Sequence, residues 1–247
     1  MSEARRKIGG LVVIGDEVLG RRVDDRNTAA VLDGFVRHGI RAGEVAIVPD
    51  DEARIAAVVR DFADRFDVVL TTGGVGPTHD DCTWRAVGRA LGDPVVLRQD
   101  VLAFMERRSG RALSPEQQRM AMLPSGTVIE RIGDGWALRL GDVWVLPGVP
   151  SMVAGKLDGI LARYAMAPRV LCEVYFGVDE WDVVALVDGV VAAHPGLAIG
   201  SYPIFDPAED HRLRISLEGE LREEVEAGVS AVRAALGEPA FVRLRWR

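Results

Sequence analysis

Thr71-Thr72-Gly73-Gly74-Val75-Gly76-Pro77-Thr78-His79-Asp80-Asp81-Cys82-Thr83 joins the apolar run Val68-Val69-Leu70 to a periodic helix through a glycine-dense turn. Such a junction suits anions. Glycines let the main chain approach a ligand closely, and the unpaired N–H groups at the start of the next helix point into the turn. The turn runs directly into Asp80 and Asp81, which would repel a bare phosphate. A divalent cation resolves that conflict by coordinating carboxylate and phosphate oxygens together. The spacing Thr78-x-x-Asp81 ahead of a helix also fits a capping box, so the acidic pair reads equally as a helix cap or as catalytic groups.

Outward from this junction the first half alternates strand and helix. Val12-Val13-Ile14 reads as a strand, after which Thr28, Val31, Leu32 and Phe35 recur at helical spacing before Gly39 supplies a stop. Val45-Ala46-Ile47-Val48 is the next strand, and Ile55, Val58, Val59, Phe62 and Phe66 share one helical face. The third strand, Val68-Val69-Leu70, feeds a helix carrying Thr83, Val87, Ala90 and Leu91 on one side and stopping near Gly92. Short apolar strands alternating with amphipathic helices imply a largely parallel sheet covered on both faces.

Residues 98–123 read as two further helices, the second opened by Ser114-Pro115-Glu116. Trp136-Ala137-Leu138-Arg139-Leu140 and Val143-Trp144-Val145-Leu146, separated by Gly141-Asp142, read as a hairpin that ends at Pro147-Gly148-Val149-Pro150. A helix then runs to about Tyr164, and 165–169 reads as a linker. The tail predicts strand, helix, strand, strand, helix, strand over 170–177, 179–193, 197–201, 211–218, 221–236 and 240–246, the split βαβ order of a ferredoxin-like domain. The expected organisation is thus an α/β three-layer domain with a mostly parallel sheet over residues 1–167, followed by a small α+β domain over 168–247. No internal repeat or low-complexity segment is evident.

Composition bounds the function. With 48% hydrophobic residues the 247-residue chain can bury a sizeable core. It has no long apolar run and opens without a signal-peptide core, so a cytoplasmic location without membrane association is expected. Cys82 and Cys172 form no metal or redox spacing and are expected as thiols, with Cys82 packed rather than reactive. A net charge of −7 argues against broad nucleic-acid binding. The terminal alternation of Val242, Leu244 and Trp246 with Arg243, Arg245 and Arg247 reads as a half-buried strand whose basic side protects a sheet edge.

Two common phosphate motifs are absent. Gly74-x-Gly76 lacks the third glycine of the dinucleotide fingerprint, His79 standing in its place, and Gly155-Lys156 is followed by Leu157 and lacks the P-loop glycine spacing.

The junction together with Gly15-Asp16-Glu17-Val18-Leu19-Gly20, Asp25-x-Asn27-Thr28, Leu146-Pro147-Gly148-Val149-Pro150 and Gly200-Ser201-Tyr202-Pro203 resembles the molybdopterin-binding-like (MoaB/Mog) superfamily. The likeness is to the branch containing competence/damage-inducible protein A (CinA) and the N-terminal domain of animal FAD synthases, and it covers residues from about 8 to 236. It implies a MoaB/Mog-like three-layer fold and usually a homo-oligomer, a dimer or trimer. It also implies one of two chemistries beside AMP: adenylylation of molybdopterin, or metal-dependent cleavage of ADP-ribose-like or FAD-like dinucleotides between their phosphates. Many CinA proteins carry Gly-Thr-Ala-Pro-Gly where this chain has Gly133-Asp134-Gly135-Trp136, so one ligand-contacting loop is expected to be rebuilt. The chain lacks the C-terminal amidohydrolase domain common in CinA and the adenylyltransferase domain of FAD synthase, so neither deamidation nor FAD synthesis is expected of it.

Ligands of open α/β sheets sit beyond the strands' carboxyl ends. That places Gly15-Asp16-Glu17, Thr71 to Asp81 and Pro147-Gly148 around one site. The leading expectation is a nucleotide pyrophosphatase using Mg²⁺ or another divalent metal, with no tightly bound organic cofactor and a small-molecule nucleotide or pterin as ligand. Asp16, Asp80 and Asp81 are the catalytic candidates: Asp16 and Asp81 as metal ligands, and Asp80 orienting water or capping the helix. Gly15, Glu17, Thr72, Gly73, Gly74, Gly76, Pro77, Thr78, His79, Thr83, Pro147 and Gly148 are the binding candidates, the glycines cradling a diphosphate through N–H groups. The alternatives are a molybdopterin adenylyltransferase and a non-catalytic ligand-binding module. Without the resemblance, Asp16 and Glu17 read as solvated loop acids, His79 as an exposed loop residue, Ser201-Tyr202-Pro203 as a turn, and Trp84, Trp136 and Trp144 as packing residues.

Overall fold

In the computed structural model, which describes residues 5–247, the chain divides into two units between Ala167 and Pro168. The first unit is built on a six-stranded sheet in the order β2-β1-β3-β8-β7-β6. Its strands are β1 (Ile8–Ile14), β2 (Arg41–Val48), β3 (Val68–Thr72), β6 (Val128–Ile132), β7 (Gly135–Leu140) and β8 (Val143–Leu146). β2, β1, β3 and β8 run parallel, and β7 and β6 are antiparallel additions. The sheet is therefore mixed but mostly parallel, as expected.

Strand alternation sorts the core into two layers. Val12, Ile14, Val69, Val143 and Val145 face α3 (Glu52–Arg65) and α4 (Thr83–Leu91), where Ile55, Val59, Phe62, Ala86 and Val87 are buried. Leu11, Val13, Leu70, Trp144 and Leu146 face α2 (Asn27–Arg37) and α7 (Pro150–Leu161), with Val31, Phe35, Val153 and Leu157 beneath them. The result is the three-layer arrangement of helices on both faces. Gly39 at φ +64° and Gly92 at φ +71° end α2 and α4, matching the stops read from the sequence.

The segment between α4 and β6 departs from expectation. A helix, α5 (Gln99–Ser109), forms, but the second is a single turn, α6 (Pro115–Gln118), held by a true capping box between Ser114 and Gln117. A 3-10 turn and the strand β5 (Met122–Pro124) follow, and β5 pairs antiparallel with β4 (Val95–Leu97) in a separate two-stranded sheet. Strands of three residues carry too short an alternation to be read. Gly141-Asp142 makes the expected hairpin turn. Gly133-Asp134, within the loop expected to be rebuilt, is the turn of a second hairpin, with Gly135 and Trp136 opening β7.

The second unit follows the order β9 (Val170–Phe176), α8 (Glu180–Ala193), β10 (Ala198–Pro203), β11 (Leu213–Gly219), α9 (Arg222–Leu236), β12 (Phe241–Trp246). Its antiparallel sheet is ordered β10-β11-β9-β12. Val174, Phe176, Ile215 and Leu217 pack against Val183, Val187, Val225 and Val229 of the two helices. On the opposite face the buried Glu173 accepts from Tyr175 Oη (3.1 Å), Arg214 Nη1 (3.2 Å) and Arg247 Nε (3.0 Å). The terminal arginines thus cover the sheet's polar face; Arg243 stacks over Tyr175 at 4.2 Å. Ser201-Tyr202-Pro203 is not a turn but the end of edge strand β10. No helix among the described residues is long and apolar enough to cross a membrane.

Candidate functional site

Four loops meet at the carboxyl edge of the parallel strands. Gly15, after β1, donates its N–H to Val48 O of β2 (3.1 Å), and the Asp16 N–H donates to Asp50 Oδ2 (3.0 Å). Asp16 and Glu17 form the first turn of the short helix α1 (Asp16–Leu19) and are exposed there. Gly73, after β3, donates to Leu146 O of β8 (3.1 Å), and its Cα lies beside Gly148 of the Pro147–Pro150 loop. The three loops expected to converge do so. The fourth, Pro49-Asp50-Asp51, was not read as part of the site.

Gly73 and Gly74 sit at φ +103° and +62°, and each is pressed against a neighbour. A Cβ on Gly73 would stand 2.1 Å from Ile14 O, and one on Gly74 2.4 Å from Thr83 Oγ1 and 3.3 Å from Asp50 Oδ1. Thr83 locks the turn by donating its hydroxyl to Gly73 O (2.9 Å) and its N–H to Gly74 O (3.1 Å), so its role in the structure is to shape the turn. The Gly73 N–H is engaged, whereas the consecutive N–H groups of Gly74, Val75 and Gly76 have no acceptor among the described residues. Consecutive unpaired N–H groups in such a turn form an anion nest. Thr72 is buried and its hydroxyl also lacks a partner.

The acids divide into two settings. Asp50 is half-buried, and its carboxyl is pushed up from the usual range, chiefly by burial; the Asp16 N–H opposes this, and the charges of Glu17, Asp16 and Asp80 add to it. Asp80 is exposed and its carboxyl is held below the usual range, first by the nearby Thr78 hydroxyl, whose single proton is donated to Asp81, and then by the main-chain N–H groups of Asp80 and Asp81. Asp81 Oδ2 accepts from Thr78 N (2.8 Å) and from the Thr78 hydroxyl, and the side chain lies against Gly76. This is the back-bonding half of a capping box, but α4 starts only at Thr83 and its cap, Cys82, makes no side-chain bond. The pair therefore closes the loop rather than capping the helix. Pro77, Thr78 and His79 form the exposed tip, with His79 Nδ1 3.9 Å from Asp80. Asp16 and Asp81 share no compact metal-ligand group; the one such triad among the described residues is Glu209-Asp210-His211 in the second unit, where Asp210 is engaged by Arg243. Cys82 is buried, its thiol pushed up to about 11 by burial, as fits a packed cysteine.

Asp25-x-Asn27-Thr28 also gains a physical role. Asp25 accepts from the N–H groups of Asn27 and Thr28 (both 3.0 Å) at the start of α2, and Asn27 Nδ2 holds Gly148 O at 2.9 Å. The first residue of α2 thereby tethers the Pro147–Pro150 loop.

Two adjoining cavities open beside the glycine turn. The smaller, about 200 Å³, is lined by Gly74, Gly76, Asp81, Arg85 and Arg119. The larger, about 500 Å³, is lined by Phe104, Met105, Met120, Trp136, Met152 and Lys156, and Val75 and Trp84 belong to both. Trp144 is fully buried as a packing residue, whereas Trp84 and Trp136 are cavity walls. Arg119 and Lys156 carried no motif that could have marked them.

The family described as probable molybdopterin binding domain matches residues 10–166, and that described as FAD synthase, middle domain, matches residues 168–245. A CinA-like protein of Geobacter metallireducens is 32% identical over 245 residues, covering 92% of this chain and 59% of its own length. One from Geobacter sulfurreducens is 33% identical over 244 residues, with 91% and 59% covered. This chain thus spans about three fifths of those curated relatives. The crystal structure of the protein CinA, with unknown function, from Thermoplasma acidophilum matches with a TM-score of 0.59 at 27% identity, over 64% of this chain and 98% of that one. The chain belongs to the molybdopterin-binding-domain family, among its CinA-like members.

Proposed function

We propose that this chain is a cytoplasmic nucleotide pyrophosphatase that cleaves the phosphoanhydride of an ADP-ribose-like or FAD-like dinucleotide with a divalent cation such as Mg²⁺. One observation carries the reading: an anion nest at Gly74–Gly76 lies against crowded carboxylates on the same sheet edge. Asp50, Asp16 and Asp80 offer only oxygen and their charges repel at Asp50, which a hard cation would relieve while drawing together carboxylates that do not form a compact triad without it. Asp16 and Asp50 would hold the cation, with Asp81 reaching it through the oxygen that Thr78 leaves free and Asp80 orienting water. A bound divalent ion supplies Lewis-acid polarisation of a phosphoryl oxygen and a more acidic water. The chain's own part is to seat the diphosphate on the Gly74, Val75 and Gly76 N–H groups, with Arg119 adding positive charge in the smaller cavity. The match to a FAD synthase middle domain supports a nucleotide ligand.

Incubating the purified protein with ADP-ribose, FAD, CoA and NAD, with and without Mg²⁺ or Mn²⁺, tests this. Metal-dependent release of AMP or phosphorylated fragments is expected. Failure on all four, together with formation of an adenylylated pterin from molybdopterin and ATP, would overturn it.

Self-association as a dimer or trimer is also proposed. α8 is apolar on its outward side as well, with Trp181 90% and Val184 46% exposed, as on helices that become covered in assemblies. A light-scattering mass fixed at the 26.8 kDa monomer at micromolar concentration would remove this proposal.

A further inference from the structure

The sheet of the second unit ends in two unlike borders. At one, β12 carries Arg243 and Arg245, Arg222 lies over Trp246 at 4.1 Å, and Arg233 lies over Phe241 at 4.2 Å. Charge lines that strand and its aromatic rings are covered, as on an edge protected against pairing. At the other border β10 reads Ala198-Ile199-Gly200-Ser201-Tyr202-Pro203 and carries no charge. Trp181 of α8 is 90% exposed, and Phe205, two residues beyond β10, is 89% exposed.

Strand and helix share this second border. Glu180, in the first turn of α8, accepts from the Ser201 hydroxyl, and Val184 and Val191 follow at i+4 and i+11 on the same flank of the helix. α8 packs beside β10, whereas α9 packs on β9 and β11, so the half-exposed Val184 and Val191 overhang the free edge of the sheet.

The edge is open in a definite pattern. The Ile204 N–H donates to Arg212 O (2.8 Å), toward β11, and main-chain groups alternate in direction along a strand. Gly200 and Tyr202 therefore also point to β11, while the N–H and C=O groups of Ile199 and Ser201 point outward. Pro203, which has no N–H to offer, falls at an outward position, where an edge strand tolerates it.

Such an edge fits its own copy. An antiparallel two-fold centred on Gly200 sets Ile199 opposite the partner's Ser201, and residues so placed exchange both hydrogen bonds. β10 brings no like charges together in that pairing, whereas β12 against its copy would oppose arginines. A helix seated between β10 and β11 stands about one strand spacing from the axis, which sets the two α8 axes about 9.6 Å apart, within the ~8–10 Å at which helices pack. Trp181 and Phe205, at roughly 150–250 Å² of aromatic surface each, supply about a third or more of the ~800 Å² per partner of a stable interface.

We propose that β10 and the Val184 flank of α8 form a two-fold interface with a second copy of this chain, β10 pairing antiparallel with β10 and α8 packing against α8. The proposal rests on the self-association reading and narrows it to a dimer built by the second unit.

Light scattering on the full chain from low to high micromolar concentration is expected to pass from the 26.8 kDa monomer to twice that mass. Over the same range the outward amides of Ile199 and Ser201 are expected to slow in hydrogen exchange by at least about tenfold, with Gly200 and Tyr202 protected throughout by β11. Trp181→Lys changes an almost fully exposed side chain, keeps the fold, and is expected to weaken the dimer at least about tenfold. Ser201→Pro removes an outward N–H and is expected to weaken it likewise, while Arg245→Glu on the other border leaves it unchanged. A trimer, a dimer whose Ile199 and Ser201 amides stay fast, or a dimer indifferent to Trp181→Lys would overturn this interface and leave self-association standing. A monomer at every concentration would overturn both.

Discussion

The carboxylate of Asp50 accepts the main-chain N–H of Asp16 at 3.0 Å, tying the loop after β2 to the first turn of α1. That bond favours the ionised carboxylate, yet burial and the charges of Glu17, Asp16 and Asp80 outweigh it and raise the pKa above 3.8. A carboxyl raised in the folded state contributes stability that is fully present below its unfolded pKa and is lost as pH rises through the folded value. At neutral pH without metal, ionised Asp50 is therefore a net cost. Asp50→Asn can keep the bond through its amide oxygen while discarding the charge. It should melt higher than the parent at pH 7 without divalent ions, and the gain should vanish as pH falls toward 3.8. Mg²⁺ should raise the parent's Tm and leave the variant's unchanged. A variant that melts lower at pH 7 would show that the bond outweighs the repulsion.

Asp81 tests the other side of the turn. Its Oδ2 holds both the N–H and the hydroxyl of Thr78, so Asp81→Asn weakens a loop closure worth about 0.5–1.5 kcal/mol and leaves the fold intact. If its other oxygen reaches the cation, metal-dependent cleavage should fall by at least tenfold while circular dichroism stays unchanged. Asp80→Asn, at an exposed position, should be less severe. Parent-like turnover and metal affinity in the Asp81 variant would restrict that residue to closing the loop.

These two acids show what the sequence could and could not disclose. Strand and helix periodicity placed the Gly73 turn at a carboxyl edge, because buried β3 and amphipathic α4 have unmistakable periods. Asp50 escaped notice because Asp50-Asp51-Glu52 looks like a helix start. Asp51 does cap α3, accepting from Arg54 N at 2.7 Å, while its neighbour points to Gly74 and Asp16. Adjacent identical residues with opposite tasks can be told apart only by the chain's direction in space. Lys156 and Arg119 were silent for a related reason: each is a lone cation whose surroundings come from distant segments. The indoles Trp84 and Trp136 look like core residues until the α5 segment is seen to leave space beside them.

Glu173 offers a prediction for the second unit. It is 5% exposed and accepts from Tyr175, Arg214 and Arg247, which bridge three strand positions on the polar face. Glu173→Ala leaves Arg214 facing a void and Arg247 without its bond; removing one partner of a buried pair costs roughly 3 kcal/mol, less here because both arginines reach solvent. Hydrogen exchange should speed up in β9, β11 and β12, with β1 and β3 protected as before. Unchanged protection in β9 would mean that the arginines serve only as an exposed cover.

The glycine turn gives the cleanest separation of conformation from packing. Gly92 ends α4 at φ +71° with open space where a Cβ would be, so Gly92→Ala should cost about 1 kcal/mol for the left-handed conformation alone. Gly73, at φ +103°, adds a clash that no rotamer can relieve, because its Cβ would stand 2.1 Å from the main-chain oxygen of Ile14. Gly73→Ala must therefore shift β1 or β3, or open the turn that Thr83 closes. Its destabilisation in urea should exceed that of Gly92→Ala by at least about 1–3 kcal/mol, the strain of a sparsely populated backbone geometry. Mg²⁺ effects should weaken in the Gly73 variant and persist in the Gly92 variant, since only the first lies where the four loops meet. Equal destabilisation in the two variants would mean that the Ile14 contact relaxes freely, and the turn would then be too soft to hold a diphosphate in register with the carboxylates.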